Sequence, residues 1–234
     1  RIAAATPFGR LTQKDLLGWM DAAGVPGSVV VLVEKNKPAF LCAGVLKRGS
    51  DQAVTEDTAF AAASLSKQLV AYAVLDLVAA GAWDLDKPLG DFVTIDGSPE
   101  AGKVTARHAL SHSTGFPNWR NAKDQALQPA TELGKAFRYS GEGYVYLQRV
   151  IEKISGEPFA RYMRTKVLEP LDMTRSSFTW RVPEGTPLAL PHDRQGNPAN
   201  TRFRDGLEKA AASHSKQPED WTYADQEGVC GSME

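Results

Sequence analysis

The sequence is poor in the features that staple, anchor or strongly charge a chain. It has two cysteines, Cys42 and Cys230, far apart and set among mostly small or apolar neighbours. That fits two buried free thiols better than a disulfide framework. No run of about 20 apolar residues is present to span a bilayer as a helix, and Arg1-Ile2-Ala3-Ala4-Ala5 is too short to be a secretion signal. Neither sign of charge dominates, since 27 Lys and Arg against 28 Asp and Glu leave a net charge of −1. There is thus no basic footprint for nucleic acid and no acidic tail. What remains is 234 residues, 42% hydrophobic and 24% charged, a globular chain able to bury a sizeable core.

The chain is organised around the stretch Ala61 to Gly81. From Leu69 to Ala80 only Asp76 is charged, which predicts a helix apolar nearly all round and buried, stopped by Gly81. Ser64 and Lys67 open it three residues apart, on one face and within mutual reach. A serine hydroxyl becomes a nucleophile when a neighbour takes its proton. A lysine can do so when burial and the positive end of a helix dipole disfavour its ammonium form. Free backbone N–H groups at the helix start would meet an oxyanion. Ser-x-x-Lys opening a buried helix therefore predicts acyl-transfer chemistry.

Three other patterns are decoys. Ala211-Ala212-Ser213-His214-Ser215-Lys216 repeats the Ser-x-x-Lys spacing, but Gln217, Pro218, Glu219 and Asp220 follow it, so it reads as a solvated loop. Gly97 to Val104 nearly spells a phosphate-binding loop, yet Val104 stands where a hydroxyl would hold magnesium and Pro99 removes an N–H. His108 and His112 share a helix spacing that suits a metal, but Ala109 stands where a zinc protease needs glutamate. Both histidines are expected to bond to nearby backbone.

The rest follows hydrophobic period. Thr12 to Ala23 predicts a helix with Leu16, Leu17 and Met20 on one side. Val25 to Val33 and Ala39 to Val45 predict an antiparallel hairpin within a larger sheet. Thr105 caps a further helix, and Leu147, Val150, Ile151 and Ile154 define one from Tyr144 to Ser155. Another runs from Phe159 to Val167. Tyr139 sits on the loop just ahead of the Tyr144 helix, where a phenol can relay protons. Trp119, Trp180 and Trp221 either line a pocket or pack the core.

Taken in order, Ser64-Leu-Ser-Lys67, Thr105-Ala-Arg-His108-Ala-Leu-Ser-His112-Ser-Thr-Gly115-Phe-Pro117, Tyr139-Ser-Gly141 and Leu168-Glu-Pro-Leu-Asp-Met173 resemble the class C β-lactamases and their penicillin-recognising serine-hydrolase relatives. The resemblance runs from about Val25 to the C-terminus. It implies an α/β (α+β) β-lactamase/penicillin-binding transpeptidase-like fold, an antiparallel sheet region beside an all-helical one. It also implies that Ser64 acylates, Lys67 helps deprotonate it, and Tyr139 passes a proton to the leaving group. The family's Tyr-x-Asn is here Tyr139-Ser-Gly141, so the substrate-contacting position is Gly141. Its third, Lys-Thr-Gly-like motif would lie beyond Glu234. Residues 1–234 are therefore expected to be a single domain, incomplete at its C-terminus, with a sheet region over 1–60 and a helical region over 61–234. Exposed sheet edges would favour association. The expected activity is hydrolysis of an ester, amide or β-lactam through an acyl-enzyme, with no cofactor and no nucleic-acid partner. The family's habit implies a periplasmic or secreted location. The competing expectation is a non-catalytic relative, or inactive fragment, acting as a ligand- or partner-binding module.

Overall fold

The computed structural model describes residues 11–95, 99–120, 126–193, 195–199, 208–209, 211–212 and 215–225. The chain divides into two compact units, residues 1–62 with 182–205, and residues 63–181 with 206–234.

The first unit begins with α1 (Gln13–Ala23). Thr12 caps it in a reciprocal box with Asp15, and Gly24 at φ 69° ends it in the left-handed conformation that glycine adopts without steric cost. Leu16 and Met20 are buried against Ala43, Val30 and Leu41. Leu17, expected on the same side, is exposed. β1 (Gly27–Glu34) and β2 (Lys37–Gly44) pair antiparallel from Gly27↔Gly44 to Glu34↔Lys37. The two-residue turn uses Lys35 and Asn36 at φ 51° and 61°, the sign that matches the twist of a tight hairpin. Gly44 is needed where it stands: its φ is +77°, and a Cβ there would lie 2.1 Å from the Pro26 carbonyl oxygen. Among the described residues the regular sheet has these two strands, extended by single bridges Val45↔Ala53 and Ala59↔Leu188. The second bridge ties 187–190 to this unit, with Ala59 N–H donating to the Pro187 carbonyl at 2.8 Å.

The second unit holds the main core. A short 3₁₀ turn, Ala63–Leu65, leads into α2 (Ser66–Ala79). α2 buries Val70, Ala73, Val74 and Leu77, the i, i+3, i+4, i+7 stripe of a one-sided helix. Tyr72 and Leu75 are 44% and 51% exposed, so the expected all-round burial is not found. The stripe packs on the helix Gly141–Ser155 and on the turn at 164–168, and apolar composition alone does not say how many sides will have partners. α3 (Pro99–Gly102) and α4 (Ala106–Leu110) follow. The phosphate-loop decoy becomes α3, with Gly97 and Ser98 outside the described residues.

α5 (Gly141–Ser155) starts three residues before the predicted helix. Ser140 caps it by accepting from Gly143 N–H, and Gly156 at φ 71° closes it. Tyr146, Leu147, Val150 and Ile151 are fully buried in the core around Leu89, Val104, Phe116 and Met163. Each such side chain contributes roughly 1.5–3 kcal/mol through burial. α6 (Phe159–Met163) runs into a π turn at Arg164–Leu168. Trp221 is buried, stacks obliquely on Trp180 at 5.1 Å, and donates its indole N–H to the Lys216 carbonyl. Two of the three unassigned tryptophans therefore pack the fold. Of the second Ser-x-x-Lys copy, Ser213 and His214 lie outside the described residues, while Ser215 and Lys216 are exposed as expected of a loop. Cys230 and the Gly228–Glu234 segment also lie outside them. Among the described residues no helix is long and apolar enough to cross a membrane.

Candidate active site

Ser64 lies on the 3₁₀ turn directly after Ala63, a non-glycine residue at φ 44°. Such a conformation is uncommon and holds the turn sharply against the helix start. Leu65 caps α2 without a side-chain acceptor, so the first-turn N–H groups of α2 have no side chain capping them. Three hydroxyl and amine groups meet here. Tyr139 donates its phenol proton to Ser64 Oγ at 2.8 Å, and Lys67 Nζ reaches the same oxygen at 3.4 Å. The ammonium lies 5.1 and 5.2 Å from the ring centres of Tyr139 and Tyr144, within cation–π range. Ser64 is exposed and Lys67 half-buried, so the pair sits at an open helix mouth rather than within a buried one.

The electrostatics separate the two tyrosines. Tyr139 is pulled below the usual tyrosine range by its hydrogen bond with Ser64 and then by Lys67. Tyr144 is pushed up by burial and then by the neighbouring Tyr139. The phenol touching the serine is thus the one biased toward ionisation.

Tyr139 is held by a lattice of backbone contacts centred on His112, whose φ is 53°. The Arg138 N–H donates to the His112 carbonyl at 2.6 Å, and the Ser140 N–H donates to His112 Nδ1 at 3.1 Å. The imidazole stacks on the Tyr139 ring at 4.4 Å and meets Phe137 edge-on. Burial, then the Lys67 charge, lowers the His112 pKa, which keeps Nδ1 free to accept. His108 uses its Nδ1 more locally, accepting from Thr105 N–H in a capping box on α4. Both histidines bond to backbone, but the partner of His112 is 28 residues away.

The loop from Pro117 to Arg120 completes the frame. Ser140 Oγ donates to the Pro117 carbonyl, Gly141 N–H to Asn118 Oδ1, and Glu142 N–H to the Asn118 carbonyl. Arg120 pairs with Glu142 at 3.1 Å, the two side chains only 11% and 6% exposed. The Arg120 N–H also donates to that carboxylate at 2.9 Å. Trp119 lies over Gly141: a Cβ at 141 would sit 2.4, 2.5 and 2.7 Å from three carbons of its six-membered ring.

Ser64, Lys67 and Tyr139, which the sequence singled out, are thus brought together, and Gly141 contributes backbone two residues beyond the tyrosine. His112, Trp119 and Tyr144 were not placed at this site by the sequence. His112 was expected to bond only to nearby backbone, and Trp119 was left between pocket lining and core packing. A trace of its place was the glycine at 141.

A serine, a lysine and a tyrosine thus converge at a helix mouth. A family model described as Beta-lactamase matches residues 15–225, and the chain belongs to that family. Its β-lactamase/transpeptidase-like fold also appears in solved neighbours. The octameric penicillin-binding protein homologue from Pyrococcus abyssi superposes with a TM-score of 0.69 at 26% identity, covering 80% of this chain and 49% of that one. A class C β-lactamase gives 0.70 at 23% identity, covering 79% and 55%. Among curated proteins, the chain is 29% identical over 216 residues to Esterase EstB of Burkholderia gladioli, covering 78% of this chain and 54% of the relative. It is 28% identical over 169 residues to Penicillin-binding protein 4 of Amycolatopsis lactamdurans, covering 65% and 44%. The chain spans about half the length of these curated relatives.

Proposed function

We propose that this chain carries the nucleophilic half of a serine hydrolase acting through an acyl-enzyme on Ser64, with a small ester or amide, β-lactams included, as substrate. The observation that carries this reading is the convergence of the Tyr139 hydroxyl and Lys67 Nζ on Ser64 Oγ at 2.8 and 3.4 Å. Ser64 Oγ attacks the carbonyl carbon while its proton passes to Tyr139, whose ionised form the Lys67 ammonium stabilises. The new Oγ–C bond forms an oxyanion beside the first-turn N–H groups of α2. Its collapse breaks the bond to the leaving group, which takes the proton back from Tyr139. Water then attacks the ester on Ser64 through the same relay and restores the serine. The closer group to the nucleophile is the tyrosine, so Tyr139 is assigned the proton and Lys67 the charge, a sharper division than the motif alone implied.

An ester is favoured over an amide because an alkoxide leaves with less protonation, and Gly141 offers no side chain to hold an amide. By family resemblance the reading carries a periplasmic or secreted location with it. Intact-mass spectrometry after incubation with an activated short-chain ester and with a penicillin tests the reaction, with Ser64→Ala and Lys67→Ala alongside. An acyl adduct that requires Ser64 and forms far more slowly without Lys67 supports it. Absence of any adduct overturns it in favour of a ligand-binding role.

A further inference from the structure

The side chain at 141 would be the nearest neighbour of Tyr139 along the chain edge that faces the nucleophile. Ser140 is extended, with φ −140° and ψ 121°, and side chains two apart on extended backbone point the same way. A Cβ at 141 would therefore leave the chain on the side from which Tyr139 reaches Ser64. That space is taken: the Trp119 ring carbons approach to 2.4–2.7 Å of it. The indole cannot drift far, because its neighbours Asn118 and Arg120 are tied to Gly141 and Glu142 by five hydrogen bonds. It is nonetheless 45% exposed, so one part of the ring is held and another is presented. Leu65, beside the nucleophile, and Phe137, two residues before Tyr139, are 68% and 75% exposed. Three apolar side chains are thus presented, two of them within two residues of Ser64 and Tyr139, and the space of a 141 side chain is filled by an aromatic ring.

We propose that Trp119 is the specificity-determining residue of this site, seated in the space of the missing 141 side chain, and that it selects esters carrying an apolar, aryl-sized group. The inference rests on the acyl-enzyme reading of Ser64. Trp119 touches substrate and acts on selection, with the proton relay left to Tyr139 and Lys67. An aryl group stacks on the indole face or edge and shields it from water, whereas a methyl-sized group reaches little of it. Recognition of this kind is apolar and tolerant of exact shape, unlike a hydrogen-bonding asparagine, which would reject ligands lacking its partner.

The test compares kcat/KM for benzyl acetate and methyl phenylacetate, each divided by the value for ethyl acetate, in the wild-type protein and in Trp119→Ala. Labelling of Ser64 by a fluorophosphonate, read by intact mass, reports on the nucleophile separately. The expected result is a roughly ten-fold fall in at least one aryl-to-ethyl ratio, with labelling retained. Which ester responds tells whether the aryl group belongs to the acyl or the alkoxy side. Equal losses on all three esters would overturn the proposal and leave Trp119 a packing residue. No label on Ser64 in the wild type would remove the acyl-enzyme reading and this inference together. A second arm needs no turnover: Gly141→Ala should lower the melting temperature in the wild-type background and do so much less when combined with Trp119→Ala. An equal drop in both backgrounds would show that the ring does not share that space.

Discussion

Replacing His112 should separate its two roles. In His112→Leu the Ser140 N–H loses its acceptor while Ser140 itself stays buried at 1% exposure. An orphaned buried donor costs about 1–3 kcal/mol. The stack on Tyr139, with ring centres 4.4 Å apart, is lost as well, at about 0.5–1.5 kcal/mol. The sum is roughly 2–4 kcal/mol. His112→Asn presents a side-chain oxygen close to the place of Nδ1 and should lose only the stack, about 1 kcal/mol. With urea slopes of about 1–3 kcal/mol per molar, the two variants should unfold at midpoints separated by roughly 1 M, read by tryptophan fluorescence and circular dichroism.

The same variants carry a pH signature. Burial and the Lys67 charge hold the His112 pKa below the ordinary 6.5, so the unfolded chain takes up this proton more readily than the native one. Stability from this group is complete above pH 6.5 and falls as pH drops below it, by at most about 1.4 kcal/mol per pH unit, until the folded pKa is passed. His108 is also lowered by burial and slopes the same way, but it is present in every variant and cancels in the comparison. The difference between wild type and His112→Asn should therefore shrink on acidification. Equal midpoints for the Leu and Asn variants, or a difference independent of pH between 7.5 and 5, would refute the argument that Nδ1 holds Ser140.

Two other expectations follow from the same frame. Tyr139→Phe should leave the melting temperature within a few degrees, since the ring stays stacked, but lower the rate of Ser64 acylation by about 10²–10⁴. Because Tyr139 is held below its ordinary value of 10, the wild-type rate should climb with pH and level off before pH 10, and stopped-flow acylation profiles of the variant should lack that limb. Arg120→Met leaves the Glu142 carboxylate buried without its partner and should cost about 3–5 kcal/mol in urea unfolding. A loss under 1 kcal/mol would mean that water or relaxation replaces the ion pair.

Much of this was legible where the signal is local. The apolar period over Thr12 to Ala23 placed α1, the apolar runs around Lys35-Asn36 placed the hairpin, and the spacing of Ser64 and Lys67 put a hydroxyl and an amine in mutual reach. Tyr139 was found by its resemblance to a family motif, since spacing alone does not bring it to Ser64 across 75 residues. What escaped depends on partners distant in sequence. The period of α2 does not disclose that Tyr72 and Leu75 stay exposed, because its apolar residues surround the helix and only neighbours decide which face is covered. His112 was expected to bond to nearby backbone, but its partner, the Ser140 N–H, lies 28 residues away. Gly141 could be recognised as a departure, but nothing nearby in sequence said that an indole 22 residues upstream fills the gap.

These contacts share one residue. Ser140 caps α5 by accepting from Gly143 N–H, donates its hydroxyl to Pro117, and donates its backbone N–H to His112. The start of a core helix is therefore also the mount of Tyr139. α5 is anchored by Tyr146, Leu147, Val150 and Ile151, all fully buried, so Tyr139 is positioned by the start of a core helix rather than by a free loop. The 2.8 Å contact between phenol and serine is held firmly on such a mount, because the helix cannot shift without opening its own core. The aromatic wall at Trp119 is tied to the same helix start through Asn118 and Arg120. The residues proposed for reactivity and for selection are thus mounted on one helix start, held there by separate contacts, His112 and Pro117 to Ser140 for the one and Asn118 and Arg120 for the other.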